Sequence, residues 1–184
     1  MKKLILSLLI VVGASSLAMA QNESKFKVSI GPELSFATGA FSNTHSFGIG
    51  GSAQAEVLLQ QYLYGTATFG VMIYNGKSSG PNTNFKAATI IPIRIGAKYF
   101  LSGGVYGALQ LGVGFLSNTN PSSNILLPNT NNSGSAFAYS PQLGYEFKTK
   151  KERAIDASFK YDGYSGNSNI GTVGAISFRV AYIF

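Results

Sequence analysis

The sequence predicts an all-β fold, a closed eight-stranded antiparallel up-and-down transmembrane β-barrel. Three observations carry this. Apolar and polar residues alternate with a period of two in eight segments, at 26–37, 47–58, 62–74, 86–100, 104–116, 135–148, 153–162 and 172–184. The connections between them alternate between short and long. Each segment is also long enough to cross a bilayer, which takes about 9 to 11 tilted residues.

Ahead of these segments lies a different pattern. Lys2 and Lys3 precede an apolar run from Leu4 to Val12, broken only by Ser7, and the small residues that follow end in Ala18-Met19-Ala20. This is the layout of a secretory signal peptide over residues 1–20, with the mature domain at 21–184. The apolar run is much shorter than the roughly 20 residues of a spanning helix. Removing Lys2 and Lys3 takes the basic side chains from 14 to twelve against seven acidic ones, and the net charge from +7 to +5. The basic residues Lys148, Lys150, Lys151 and Arg153 cluster at one turn and the rest are scattered, so there is no nucleic-acid footprint. Cysteine is absent, so no disulfide staples the exported chain.

In the first segment Phe26, Val28, Ile30, Leu34 and Phe36 share a face opposite Lys27, Ser29, Glu33 and Ser35. The third sets Leu63, Ala67, Phe69, Val71 and Ile73 against Tyr62, Tyr64, Thr66, Thr68 and Tyr74. In the fourth Ile91, Ile93, Ile95 and Tyr99 oppose Arg94 and Lys98. Gln110 is the one strongly polar inward candidate of the fifth, which has apolar residues on both faces. The sixth places Phe137, Tyr139, Leu143, Tyr145 and Phe147 opposite Ser140, Gln142, Glu146 and Lys148, and the eighth places Ile176, Phe178, Val180, Tyr182 and Phe184 opposite Ser177 and Arg179. Pro32, Pro92 and Pro141 interrupt simple ladders and require a bulge or a locally missing bond.

The short connections are Gln60-Gln61, 101–103 and 149–152. The long ones are 38–46, 75–85, 117–134 and 163–171, rich in Ser, Asn, Gly, Thr and Pro. In an up-and-down barrel the short turns and the chain termini then share one end, the arrangement of a barrel with short periplasmic turns and longer outer loops. Aromatic residues at segment ends (Phe26, Phe36, Phe47, Tyr62, Tyr74, Phe85, Phe100, Phe115, Phe147, Tyr161, Phe184) are expected at the two lipid interfaces.

In a membrane barrel the apolar face meets lipid and the polar face lines the interior. That sends Glu33, Glu56, Arg94, Lys98, Glu146, Asp156, Lys160 and Arg179 inward, from the short-turn end to mid-height. Four acids and four bases at similar heights form a candidate paired network, which is the condition for burying charge. Side chains fill a barrel of eight strands, so a plugged interior is expected. A soluble barrel or sandwich inverts the faces and leaves these residues in solvent.

The chain ends on alternating apolar residues with Tyr182 and Phe184. This resembles the C-terminal strand signature of Gram-negative outer-membrane barrels, with Phe184 matching the terminal phenylalanine. From residue 24 to 184 the chain is similar to the small outer-membrane β-barrel domain family, and in topology to the eight-stranded adhesion and serum-resistance barrels. Its Gly- and Asn-rich texture looks like that of members from the Bacteroidota. The resemblance implies location in the outer membrane, contact with its lipid, and assembly through the insertion machinery that reads the terminal strand. It brings no shared catalytic motif.

The sequence arranges few groups for chemistry. His45 is the one histidine, flanked by Thr44 and Ser46 with no acid in its loop, and is expected to be solvated rather than a catalytic base. No metal, calcium-loop, P-loop or dinucleotide pattern is present, so no cofactor is expected. Asp162, beside Gly163, is read as a turn residue. Tyr74, Tyr161 and Tyr164 are candidates for an aromatic group at the outer rim. Ile125, Leu126 and Leu127 form an apolar tip inside the polar loop 117–134, a candidate for contact with lipid, a partner or the barrel mouth. The leading expectation is a non-enzymatic barrel that supports the envelope or contacts a surface ligand through its loops. A narrow porin-like transporter and a lipid-directed enzyme are the alternatives.

Overall fold

The computed structural model describes residues 26–77, 87–118, 133–149, 153–166 and 172–184. The expected signal peptide at 1–20, Phe85 and the tip Ile125–Leu127 lie outside the described residues.

A single alternating sheet buries one face by curling on itself, and in lipid it must also close, because an open edge leaves backbone groups unpaired. Eight strands do so here: β1 Phe26–Thr38, β2 His45–Gln60, β3 Leu63–Gly76, β4 Ala88–Ser102, β5 Val105–Asn118, β6 Ser133–Lys148, β7 Ala154–Ser165 and β8 Thr172–Ile183. Each pairs antiparallel with its neighbours in sequence, and β8 returns to β1 to seal the barrel. Closure is marked by Glu33 opposite Arg179 and by the Phe184 amide donating to the Val28 carbonyl at 2.9 Å.

The strands extend two or three residues beyond several expected ends, most clearly in β7. There the alternation runs on through Asp162, Gly163 and Tyr164, so Asp162 is a strand residue and not a turn residue. Tyr62 is the opposite correction. It sits in the tight β2–β3 turn with φ 69°, half exposed, instead of on the inward face of β3. The first outer connection, expected to be long, is a single 3-10 turn at Gly39–Asn43 that drops Phe41 into the barrel.

The prolines resolve as local gaps rather than bulges. Pairing of β1 with β8 skips from Ile30–Tyr182 to Glu33–Arg179 around Pro32. β3 and β4 skip from Phe69–Ile93 to Met72–Ile90 around Pro92, and β6 and β7 from Tyr139–Gly163 to Gln142–Lys160 around Pro141. The register is the same on both sides of every gap. Each proline keeps its place in the ladder on its other side, opposite Gly51, Gly114 and Leu109. A missing N–H thus costs pairing over two residues of one ladder and leaves the barrel's register intact.

Tight curvature is relieved by glycine. At Gly96 the backbone of Leu109 and Gln110 on the next strand comes so close that a Cβ does not fit, and Gly50 has the same relation to Val71 and Met72.

The outer wall is apolar, with Ile95 70%, Leu143 64% and Ile30 56% exposed. Aromatic pairs mark its two ends: Phe36 with Phe47, ring centroids 5.7 Å apart, and Tyr139 with Tyr161 at the outer end; Tyr145 with Phe147 and Tyr182 with Phe184 at the short-turn end. Two of the expected interface rings point elsewhere. Tyr74 is fully buried inside the barrel, and Phe100 turns toward Tyr106 and the lumen.

Candidate functional site

The candidate site is the barrel interior. Because residues two apart share a face, β1, β2, β4, β6, β7 and β8 each send ionisable side chains inward, and these collect on two connected levels.

The lower level centres on Lys98. Its ammonium lies 3.0 Å from Glu56, 3.7 Å from Asp156, and is paired with Glu146. Glu146 also binds Lys27 at 3.2 Å, at the short-turn mouth. The Tyr106 hydroxyl donates to Asp156 at 2.6 Å and accepts from Gln142 at 2.9 Å, and the Lys98 ammonium lies 3.9 Å from the centre of the Tyr106 ring. Gln54 donates to Glu56 at 2.7 Å, and its own carbonyl accepts from Thr68 and Gln110.

The upper level pairs Arg94 with Asp162, and Lys160 with Glu33 at 2.8 Å. Asp162 also accepts from Ser177 at 2.7 Å and Ser140 at 2.9 Å, and Ser52 donates to Glu33. Arg179 joins the levels. It lies 3.4 Å from Asp156 below and 3.6 Å from Glu33 above, and donates to Ser52 and Ser29 at 2.8 and 2.9 Å.

All eight ionisable residues expected inside are buried there. Two more belong to the network, Asp162 and Lys27. Asp162 was hidden by the Asp-Gly pair, which reads as a turn; the parity of Asp156, Ser158 and Lys160 carried one step further marks it. Lys27 has the parity of Ser29 and Glu33, and only its place at the mouth separates it from them. Among the described residues the interior then holds five acids and five bases, each in an ion pair. Balanced pairing of this kind offsets the cost of taking charge out of water.

Above the charged levels the interior is apolar. Phe41, Met72, Tyr74, Ile90, Tyr164 and Val173 pack together beneath the outer mouth. The Tyr74 hydroxyl is tied to Ser35 at 2.8 Å. His45 is not solvated: it is 8% exposed, its ring stacks on Phe41 with centroids 4.5 Å apart, and Nδ1 lies 2.8 Å from the Thr44 hydroxyl. Its surroundings are those of a packed ring. The expected tyrosine group divides, because Tyr74 and Tyr164 are interior while Tyr161 faces outward against Tyr139. Nothing in the sequence pattern singles out Phe41, which lies outside every alternating segment.

At the end of the chain the Tyr182 and Phe184 rings meet edge to face at 5.0 Å beside the closing seam.

Comparison with known proteins agrees with this architecture. The family model described as outer membrane protein beta-barrel domain matches residues 4–184. No curated protein matches by sequence. Among solved structures, Neisserial surface protein A is similar with a TM-score of 0.63 at 12% identity, covering 87% of this chain and 96% of that one. The attachment invasion locus protein Ail of Yersinia pestis, in a phospholipid nanodisc, is similar at 0.56 and 18%, covering 88% and 100%. The same protein in complex with the heparin analogue sucrose octasulfate gives 0.53 at 18%, covering 86% and 97%. OprG of Pseudomonas aeruginosa gives 0.51 at 10%, covering 86% and 95%.

Proposed function

The chain belongs to the outer membrane protein beta-barrel domain family and resides in the outer membrane, and from that premise we propose that it is a sealed, non-enzymatic barrel that works through its outer loops. The supporting observation is the filled cross-section. Side chains from strands far apart around the barrel meet across the lumen, as Arg94 of β4 does with Asp162 of β7 and Lys98 of β4 with Asp156 of β7, and Phe41 with its apolar neighbours lies above them. A rigid barrel of this kind holds loops in a defined arrangement at the surface, where binding residues concentrate. The likeness to Ail, solved with a heparin analogue, is in keeping with a surface-contact role. Within the loops the apolar tip Ile125–Leu127 is the proposed contact element. Tyr182 and Phe184 are proposed as the signal for the insertion machinery.

The test is replacement of residues 119–132 by a Gly/Ser segment of equal length, in cells lacking the wild-type chain. The expected result is a barrel with unchanged heat-modifiable gel migration that fails to restore the envelope integrity or cell-surface attachment lost with the wild-type chain. Full restoration by the loop-replaced chain contradicts the contact role.

A further inference from the structure

The short-turn end of the barrel is not filled like the rest. Below Lys98 the interior widens into a basin of about 690 Å3, within the range of small-molecule sites. Its floor is Lys27 with Glu146, Tyr64 and Phe100 line its inner wall, and the exposed rings of Tyr62 and Tyr145 close its edge at the rim. Lys148 stands at the rim.

The charges in the basin are unequal in availability. Both oxygens of Glu146 are occupied, Oε2 by Lys27 and Oε1 by Lys98. Lys27 is partly exposed, with its ammonium 4.9 Å from the centre of the Tyr64 ring and 5.5 Å from that of Phe100. Lys148 is exposed and holds no carboxylate among the described residues. Among the described residues the free charge facing the basin is therefore positive, and its lining sets aromatic rings beside polar groups in similar measure.

The backbone commits to this shape at a cost. Tyr62 takes a left-handed φ of 69° without being glycine, which is unfavourable for a bulky side chain. That conformation places its ring at the basin's edge. The facing β4–β5 turn uses Gly103 and Gly104 at φ 57° and 101°, and the turns are tied to their neighbours by Phe100 N–H to Tyr62 O and Glu146 N–H to Gly104 O, both 2.9 Å.

We propose that this basin is a binding site, open to the periplasm, for a small amphiphile that carries a carboxylate or phosphate on an apolar or aromatic body. The anion pairs with Lys27 and Lys148, and the body lies against Tyr62, Phe100 and Tyr145. The site is at the opposite end from the outer loops and does not depend on their role.

Photo-crosslinking tests it on the mature chain in lipid nanodiscs. The probes are benzoylbenzoate, neutral benzophenone and aminomethylbenzophenone, with a benzophenone-tailed fatty acid as a membrane-borne carboxylate. Saturable labelling of segments 58–64, 100–104 and 145–148 by a carboxylate probe is expected, and whether the soluble or the membrane-borne probe saturates them identifies the source. Lys148→Ala is expected to weaken saturation about fivefold, as for loss of a partly exposed charge pair, and Lys27→Met at least as much, both with unchanged heat-modifiable migration. Labelling by the neutral and cationic probes equal to that by the carboxylate probes, labelling elsewhere on the barrel, or labelling unaffected by both substitutions overturns the proposal.

Discussion

Arg94 on β4 and Asp162 on β7 pair inside the barrel across 68 residues of sequence, both almost wholly buried. Neither strand is adjacent to the other, so the pair spans the lumen. It fixes the cross-section at mid-height in a way that no backbone ladder does. Removing one partner is expected to leave an uncompensated buried charge. Arg94→Met or Asp162→Asn should therefore cost about 3–5 kcal/mol. The double substitution should cost less than the two single effects summed, because it leaves no charge stranded. Denaturant unfolding in detergent micelles or liposomes measures all three.

Lys98 gathers three carboxylates, and its loss should leave them facing one another. Lys98→Met is expected to destabilise the barrel by several kcal/mol, on the order of other broken buried pairs. Adding Glu56→Gln should recover a substantial part, because it removes one repelling charge. No recovery would contradict the shared role of these carboxylates.

The outer wall should respond in the opposite sense to the inner one. Ile95, at the middle of β4 and 70% exposed, faces lipid. Ile95→Arg is expected to cost about 2–4 kcal/mol in a bilayer, measured by unfolding from liposomes. Ile95→Ser should cost less.

Gly96 marks where neighbouring backbone approaches the inner face of β4. Gly96→Val should force β4 and β5 apart near Gln110 and lower the yield of refolded barrel, read as the fraction with heat-modifiable migration. Yield equal to that of the wild type would show that the wall relaxes at this point.

Much of this interior was legible in the alternation of the sequence. The inward set Glu33, Glu56, Arg94, Lys98, Glu146, Asp156, Lys160 and Arg179 follows from parity alone, because in a strand the face of one residue settles that of every second one. What escaped had a local signal pointing elsewhere. Asp162 precedes a glycine and reads as a turn, and Tyr62 continues an alternation that a tight turn cuts off. Phe41 and His45 sit in a polar connection whose composition says loop, and only the short 3-10 turn reveals that they fold into the mouth. Partner choice was also beyond the sequence: parity puts Arg94 inside, but which carboxylate it meets depends on barrel curvature and on side-chain reach across the lumen.

The central claim is a sealed lumen, and ion conductance of the refolded mature barrel in planar bilayers tests it most directly. Absent or merely sporadic conductance is the expected result, with Phe41→Ala leaving the charged levels in place and still giving no stable channel. Stable unitary steps of reproducible size in the wild-type protein would contradict the account and support the narrow-pore alternative.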